Sequence, residues 1–482
     1  MRVLQQLGQP KWLIPLLFVI LVNFVLFWPP HVGLANNGDF DRLMALVGLH
    51  YPSQDVYYYE RYDHYFVSAF RMGWFGHSFY PSSALVTIVV AYLINAILHF
   101  GVFSTAVQAY VYIALLAYGL HVLLRSLHAL FSIYVAYGIG ILSLFMLTEI
   151  GYAAYLPTLY SEPASLVFYL LLIAFLFALI VDEKNRFYRR AIWIVTGLFL
   201  TSKVQNTVLL PFALLTLYGV TQRVIGLYSF RKFLKYSAIL SLVVIAVYFA
   251  NPPSFVTQNT YDSFFTGLMM VATPTDHLLA WFHLNGRLAV LRAGSYFSYY
   301  GIKWQSRVVA DQFYQKVSLF KIVLFYLVHP HDWIKALQIS QNAAFTLRPS
   351  YLGNFTFQAH RGAGTLSQRF DFWRIVRAKL PHSLYFWLLE MVGIVGVTIA
   401  ILRFRRNKKA VLTAWVVLMM ACFALAQWSI PFMGEGENEL VKHLFLYDVL
   451  FDALLVTVVG YGIWQIERLV RAWMRLRHYS NG

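Results

Sequence analysis

Only one cysteine, Cys422, stands in the 482 residues, and it lies inside an apolar run. An intramolecular disulfide and a cysteine-based metal site are therefore excluded. Charge is nearly as scarce: 12% of the chain is Asp, Glu, Lys or Arg, and only 21 residues are acidic. So little charge cannot clothe a water-soluble protein of this length. Internal repeats and low-complexity segments are also missing, which removes the usual mark of a transporter built from two related halves. What fills the chain is apolar: 59% hydrophobic residues, a mean hydropathy of +0.59, and several runs that approach or exceed roughly 18 residues. The pattern specifies an all-α, polytopic helical membrane protein. An aromatic share of 18% suits rings that anchor helices at two interfaces or line sugar and lipid grooves.

The first span covers 12–28, is apolar apart from Asn23, and is stopped by Pro29 and Pro30. Arg2 and Lys11 precede it and no small-x-small cleavage site follows, so it reads as an uncleaved signal anchor with a cytoplasmic N-terminus. Further spans are expected at 103–124, 129–148, 164–181, 191–201, 207–222, 236–250, 383–402, 410–430 and 443–465, about ten crossings in all. Residues 82–100 are equally apolar, but a crossing there would force the basic clusters 184–190 and 231–235 outside. A surface-lying or re-entrant helix at 82–100 keeps every basic cluster in the cytoplasm. On that topology both termini are cytoplasmic and the whole formal excess of +17 falls on cytoplasmic segments, so nucleic-acid binding is not needed to explain it. Three regions follow: an N-terminal transmembrane module, 1–250, with its first outer loop at 30–80; a long outer segment, 251–382, with short helices; and a C-terminal module, 383–482, with a basic cytoplasmic tail. The long outer segment is basic where the shorter outer loops are acidic, which suits a site that holds an anion beside carboxylates.

Four polar stretches fall at outer span ends: 36–42, 149–162, 203–206 and 435–443. Singly each has an ordinary reading. Asp39 could merely cap a helix starting near Phe40, and Ser161 with Pro163 could merely open the next span. Lys203 could snorkel to the interface, and Lys442 and His443 could simply pair with the glutamates before them. Together, on one face of the membrane, they read as a functional site. A carboxylate at the rim of a membrane core suits a base, because partial desolvation raises its affinity for a proton.

The motifs Asn-Gly-Asp-Phe-x-Arg at 37–42, Tyr-Ser-Glu-Pro at 160–163, Ser-Lys-x-Gln-Asn at 202–206 and Gly-Glu-Gly-x-x-Glu-x-x-Lys-His at 434–443 resemble a bacterial group of integral-membrane hexosyltransferases. That group is associated with S-layer and related surface-glycan assembly and is similar to the wider GT-C glycosyltransferase superfamily. The resemblance implies a sugar donor on a polyprenyl-phosphate carrier, a lipid-linked or cell-surface glycan as acceptor, and a site on the outer face of the bacterial cytoplasmic membrane. It maps the superfamily's catalytic base, an acidic residue of the first outer loop, onto Asp39. The soluble C-terminal domain of oligosaccharyltransferase members has no counterpart among these residues, so a peptide acceptor is not expected.

The expected function is inverting transfer of a hexose from an undecaprenyl-phosphate carrier, with Asp39 as general base and Asp41 and Glu162 orienting base or acceptor. Arg42, Lys203, Gln205, Asn206, Arg348, Glu435, Glu437, Lys442 and His443 are the candidates for binding substrate, the cations among them offsetting charge on the leaving phosphate. No cofactor is required; Asp39 and Asp41 offer oxygens to a divalent metal, but their spacing does not demand one. A glycan polymerase or ligase using a diphosphate-linked oligosaccharide is the alternative enzyme, and a lipid-linked sugar flippase the alternative of another class. The topology is testable in a Cys422→Ser background. Asn37→Cys and Val204→Cys should react with an impermeant thiol reagent added outside, and Phe187→Cys and Asn407→Cys should not; a cytoplasmic position 204 would dissolve the shared outer site.

Overall fold

The computed structural model describes residues 8–52, 62–76, 80–298 and 306–480; Arg2 and part of the first outer loop, 53–61, lie outside them. Among the described residues eight helices are long and apolar enough to cross a membrane: Pro10–Phe27, Thr105–Leu130, Glu162–Val181, Val204–Val224, Phe230–Phe249, Leu384–Phe404, Lys408–Glu435 and Phe445–Leu476. Two of the ten expected crossings are shorter, Ile133–Thr148 with 16 residues and Arg186–Leu200 with 15. At about 1.5 Å per residue they fall short of a ~30 Å core, though both pack among the long helices.

Glu162–Val181 is the axis of the bundle. It is apolar on every side, and 89% of it is buried, chiefly against Thr105–Leu130 and Arg186–Leu200. Phe230–Phe249 and Leu384–Phe404 are also apolar but only 17% and 22% buried, which suits open faces against lipid. The polar Asn23 is satisfied inside its span: its amide donates to Val19 O at 2.7 Å and its oxygen accepts from the Tyr110 hydroxyl at 2.6 Å.

Helix Ala84–Leu98, with 15 residues, is fastened at both ends. At its start, Ser82 Oγ donates to Ser202 O at 2.6 Å and Ser83 N to Thr201 O at 3.0 Å. At its end, Asn95 bonds the backbone of Ser104. Strand Val102–Ser104 then pairs with Ala69–Met72, which pairs with Leu49–His50, all antiparallel. Both helix ends are thus tied to the side of the bundle that carries the first loop. The turns expected in the cytoplasm meet at the other end, where Lys408 Nζ lies 2.7 Å from Glu183 Oε2 and the Tyr228 hydroxyl donates to Arg189 O.

The long segment 251–382 is stitched into the bundle at several places, two of them at its C-terminal half. Gly33 N and Ala35 N donate to Asn354 O and Gly353 O at 3.0 and 2.8 Å, joining it to the first loop. Arg377, 2% exposed, reaches Asp448 at 2.9 Å and Asp452 at 3.3 Å on the last span. Trp373 Nε1 adds a 2.7 Å bond to Asp452. Two aspartates one helical turn apart in an apolar helix need such a partner. Arg377→Ala leaves both carboxylates buried and uncompensated, and should cost about 3–5 kcal/mol. Thermal unfolding of the purified protein in lipid measures this; a loss under about 1 kcal/mol would show the pair to be incidental.

Candidate active site

Gly38, at φ +102°, turns the chain into helix Asp39–Val47. Gly38 is the N-cap, and the side chain of Asn36 two residues earlier serves the helix start, its Oδ1 accepting from Gly38 N at 2.8 Å and Phe40 N at 3.0 Å. Asp39 is therefore free of the capping role and points across the protein. Its Oδ2 lies 2.5 Å from Lys442 Nζ and its Oδ1 3.2 Å from an Arg42 nitrogen. Lys442 Nζ also meets Glu439 Oε2 at 2.6 Å and sits 5.3 Å from the centre of the Tyr160 ring. Glu439 Oε1 accepts from Asn37 Nδ2 at 2.5 Å, and the Tyr160 hydroxyl lies 3.0 Å from Asn37 Oδ1.

A second chain of contacts runs alongside. Lys203 Nζ lies 2.8 Å from Glu162 Oε1 and 3.1 Å from His443 Nδ1. An ammonium offers only donors, so Nδ1 is the unprotonated nitrogen of His443 and Nε2–H faces Glu435, whose Oε2 lies 2.5 Å away. The turn that delivers these residues is built on Gly436, at φ +67°, where a Cβ would stand 2.4 Å from Thr266 Oγ1 and Gly267 N. Glu162 and Pro163 begin the central helix as its sequence suggests, but the Ser161 hydroxyl makes no capping bond.

The structure thus brings Asp39, Arg42, Glu162, Lys203, Glu435, Lys442 and His443 together, with Gln205 bonded to the His443 carbonyl behind them, while Asp41, Asn206, Arg348 and Glu437 contact other partners. Asp41 is turned away, accepting from the Tyr62 hydroxyl at 2.6 Å and Asn36 Nδ2 at 3.2 Å. Gln205 donates to Gln427 and to the backbone of His443, and the buried Asn206 donates to Ser165 and Ser202, so both fasten helices. Arg348 is buried against Asn354 Oδ1 at 2.8 Å and the Ser367 carbonyl, holding the loop that borders the first stretch. Glu437 is exposed, and its backbone donates to Thr266 O and accepts from Leu440 N. Glu439, Asn37 and Tyr160 belong to the cluster although sequence reasoning did not single them out. The i,i+3 spacing of Glu439 and Lys442 was the available signal.

Burial alone would raise the proton affinity of Asp39, as the sequence suggests. The facing Lys442 and Arg42 outweigh it and hold the carboxyl well below the usual carboxylate range, which corrects that expectation. Burial likewise opposes the charge on Lys442, but Asp39 and Glu439 keep it protonated. The exposed edge is formed by Arg42, Asp39 and Glu439, with side chains 32%, 24% and 26% accessible, over a floor made by Lys442 at 0%. Among the described residues no three His, Cys, Asp or Glu side chains converge as metal ligands do.

Asp262 borders this site. It is buried, accepts from Tyr296 N at 2.6 Å, and has its carboxyl pushed up to about 8, by burial first and then by Glu435 and Glu439. A carboxyl raised in the folded state contributes stability that is fully present below its unfolded value near 4 and lost as pH rises through about 8. Wild type should lose thermal stability between about pH 4 and pH 8, and Asp262→Asn should flatten that slope. Parallel slopes in the two proteins would show Asp262 to be ionised throughout.

A solved apo oligosaccharyltransferase from Archaeoglobus fulgidus is similar to this chain at 11% identity and a TM-score of 0.39, covering 96% of this chain and 52% of that one. This chain therefore spans about half the length of that protein. No curated protein matches. The model of a family described as the YfdI N-terminal transmembrane domain matches residues 2–478, and the chain belongs to that family.

Proposed function

We propose that the protein is a membrane glycosyltransferase of the GT-C kind, moving a hexose from a polyprenyl-phosphate carrier to a lipid-linked or cell-surface glycan at the outer face of a bacterial cytoplasmic membrane. One observation carries the reading. A partly open carboxylate, Asp39, is faced by two cations, Arg42 and Lys442, with Lys203 held by Glu162 and His443 alongside, at the end of the bundle opposite the basic turns. Such a cluster suits a reaction that removes a proton from one partner and places negative charge on the other. In this reading the acceptor oxygen attacks the anomeric carbon and its proton passes to Asp39. The bond from that carbon to the phosphate oxygen breaks, its electron pair stays with the phosphate, and the anomeric configuration inverts. Arg42 meets that phosphate at the open edge, while Glu162 and His443 hold Lys203 in place.

A polymerase or ligase taking a diphosphate-linked oligosaccharide uses the same groups and differs in donor. A flippase calls for ionisable groups along mid-span, and the pair within the last span, Asp448 and Asp452, is engaged by Arg377. The test is radiolabelled undecaprenyl-phosphate hexose given to the purified protein in lipid with a lipid-linked glycan, following label off the carrier. Asp39→Asn should lower transfer by roughly 10²-fold or more while the unfolding temperature stays near wild type. Asp41→Asn should retain most activity, since Asp41 serves the loop. Full activity in Asp39→Asn would remove the base from the mechanism.

A further inference from the structure

Asp39 is poorly prepared to take a proton in the geometry described. Each of its oxygens faces a cation, and a carboxylate so held is a weak base. The two cations differ in one respect. Lys442 is sealed in, with Glu439 as a second carboxylate and Tyr160 across it. Arg42 lies one helical turn from Asp39 at the open edge, its guanidinium 4.8 Å from the Phe255 ring and 5.8 Å from that of Tyr80, and among the described residues it has no other ion pair. Aromatic faces hold a guanidinium without committing its N–H donors, so Arg42 can rotate toward an arriving phosphate at little cost.

We infer that Asp39 is a masked base and that the donor's phosphate unmasks it by drawing Arg42 off the carboxylate. The inference rests on the transferase reading above and adds an order to it: donor first, then deprotonation of the acceptor. Glu439 is essential to the device, because it keeps Lys442 compensated while Asp39 gains a proton. The remaining groups that bear on Asp39 are His443 and Glu435 from the C-terminal turn and the hydroxyls of Tyr160, Tyr80 and Tyr351. None of these is placed to exchange partners with a phosphate as Arg42 is.

The experiment reads the protonation of Asp39 directly. Infrared difference spectra of the full chain in lipid discs, with the spectrum of Asp39→Asn subtracted, follow its carboxyl band against pH. Undecaprenyl phosphate, the carrier left after transfer, is the probe; undecaprenol is its phosphate-free control, and native mass spectrometry scores binding. Saturating undecaprenyl phosphate should raise the wild-type midpoint by at least about one pH unit, a tenfold change in proton affinity, and undecaprenol should not move it. Arg42→Gln should show a raised midpoint without lipid and little further change with it, and Arg42→Lys should restore part of the response. An equal lipid-induced rise in Arg42→Gln would mean direct repulsion by the phosphate and would overturn the exchange. Binding with an unmoved midpoint would overturn the mask and leave the transferase reading intact. Failure of undecaprenyl phosphate to bind would remove both.

Discussion

An ammonium shut away from water must find carboxylates, and Lys442 finds two. Taking the lysine's charge out of water costs several kcal/mol, offset here by two short contacts to partly open carboxylates and by the Tyr160 ring. The consequence is architectural as much as chemical. Asp39 comes from the loop after the first span and Glu439 from the turn before the last, so one lysine closes the two ends of the chain onto each other. The turn can make that contact because Gly436 lets its backbone lie against Thr266 and Gly267, and because Glu439 itself adopts φ +49°.

Around that lysine the charges alternate in sign along both strings of contacts, leaving a dense field of opposite charges in a poorly hydrated place. Each charge is strong because water is scarce, and each is quiet because a neighbour cancels it. A substrate that brings its own negative charge therefore does more than add a contact. It changes which neighbour answers to which, as a bare cation pocket would not.

The fold was legible because periodicity and hydropathy act locally. The apolar helices follow from runs of residues read in place. The site was legible only at the level of stretches. Asp39 and Asp41 are two residues apart and share a motif, yet on a helix that spacing sends one toward Lys442 and the other toward Tyr62. Arg348 and Asn206 look like ligands by residue type, but their donors are taken by the backbone and side chains that fold the loops. The weakened basicity of Asp39 was hidden for the same reason: desolvation can be read from an apolar flank, whereas two facing cations, one of them 403 residues away, cannot. Asp448 and Asp452 went unremarked inside an apolar run, and their partner Arg377 lies 71 and 75 residues away, beyond reach of local reasoning.

That last pairing makes the outer segment something other than a loop hung between spans. Loops are ordinarily the interchangeable parts of a fold, but this one supplies the counter-ion of a membrane helix. In synthesis Arg377 emerges before Asp448 and Asp452, so the positive partner is already on its side when the two acids arrive to be buried. A chimera that exchanged the segment with a relative's would have to inherit all three residues together, and a lineage that lost the arginine would have to lose the aspartates with it.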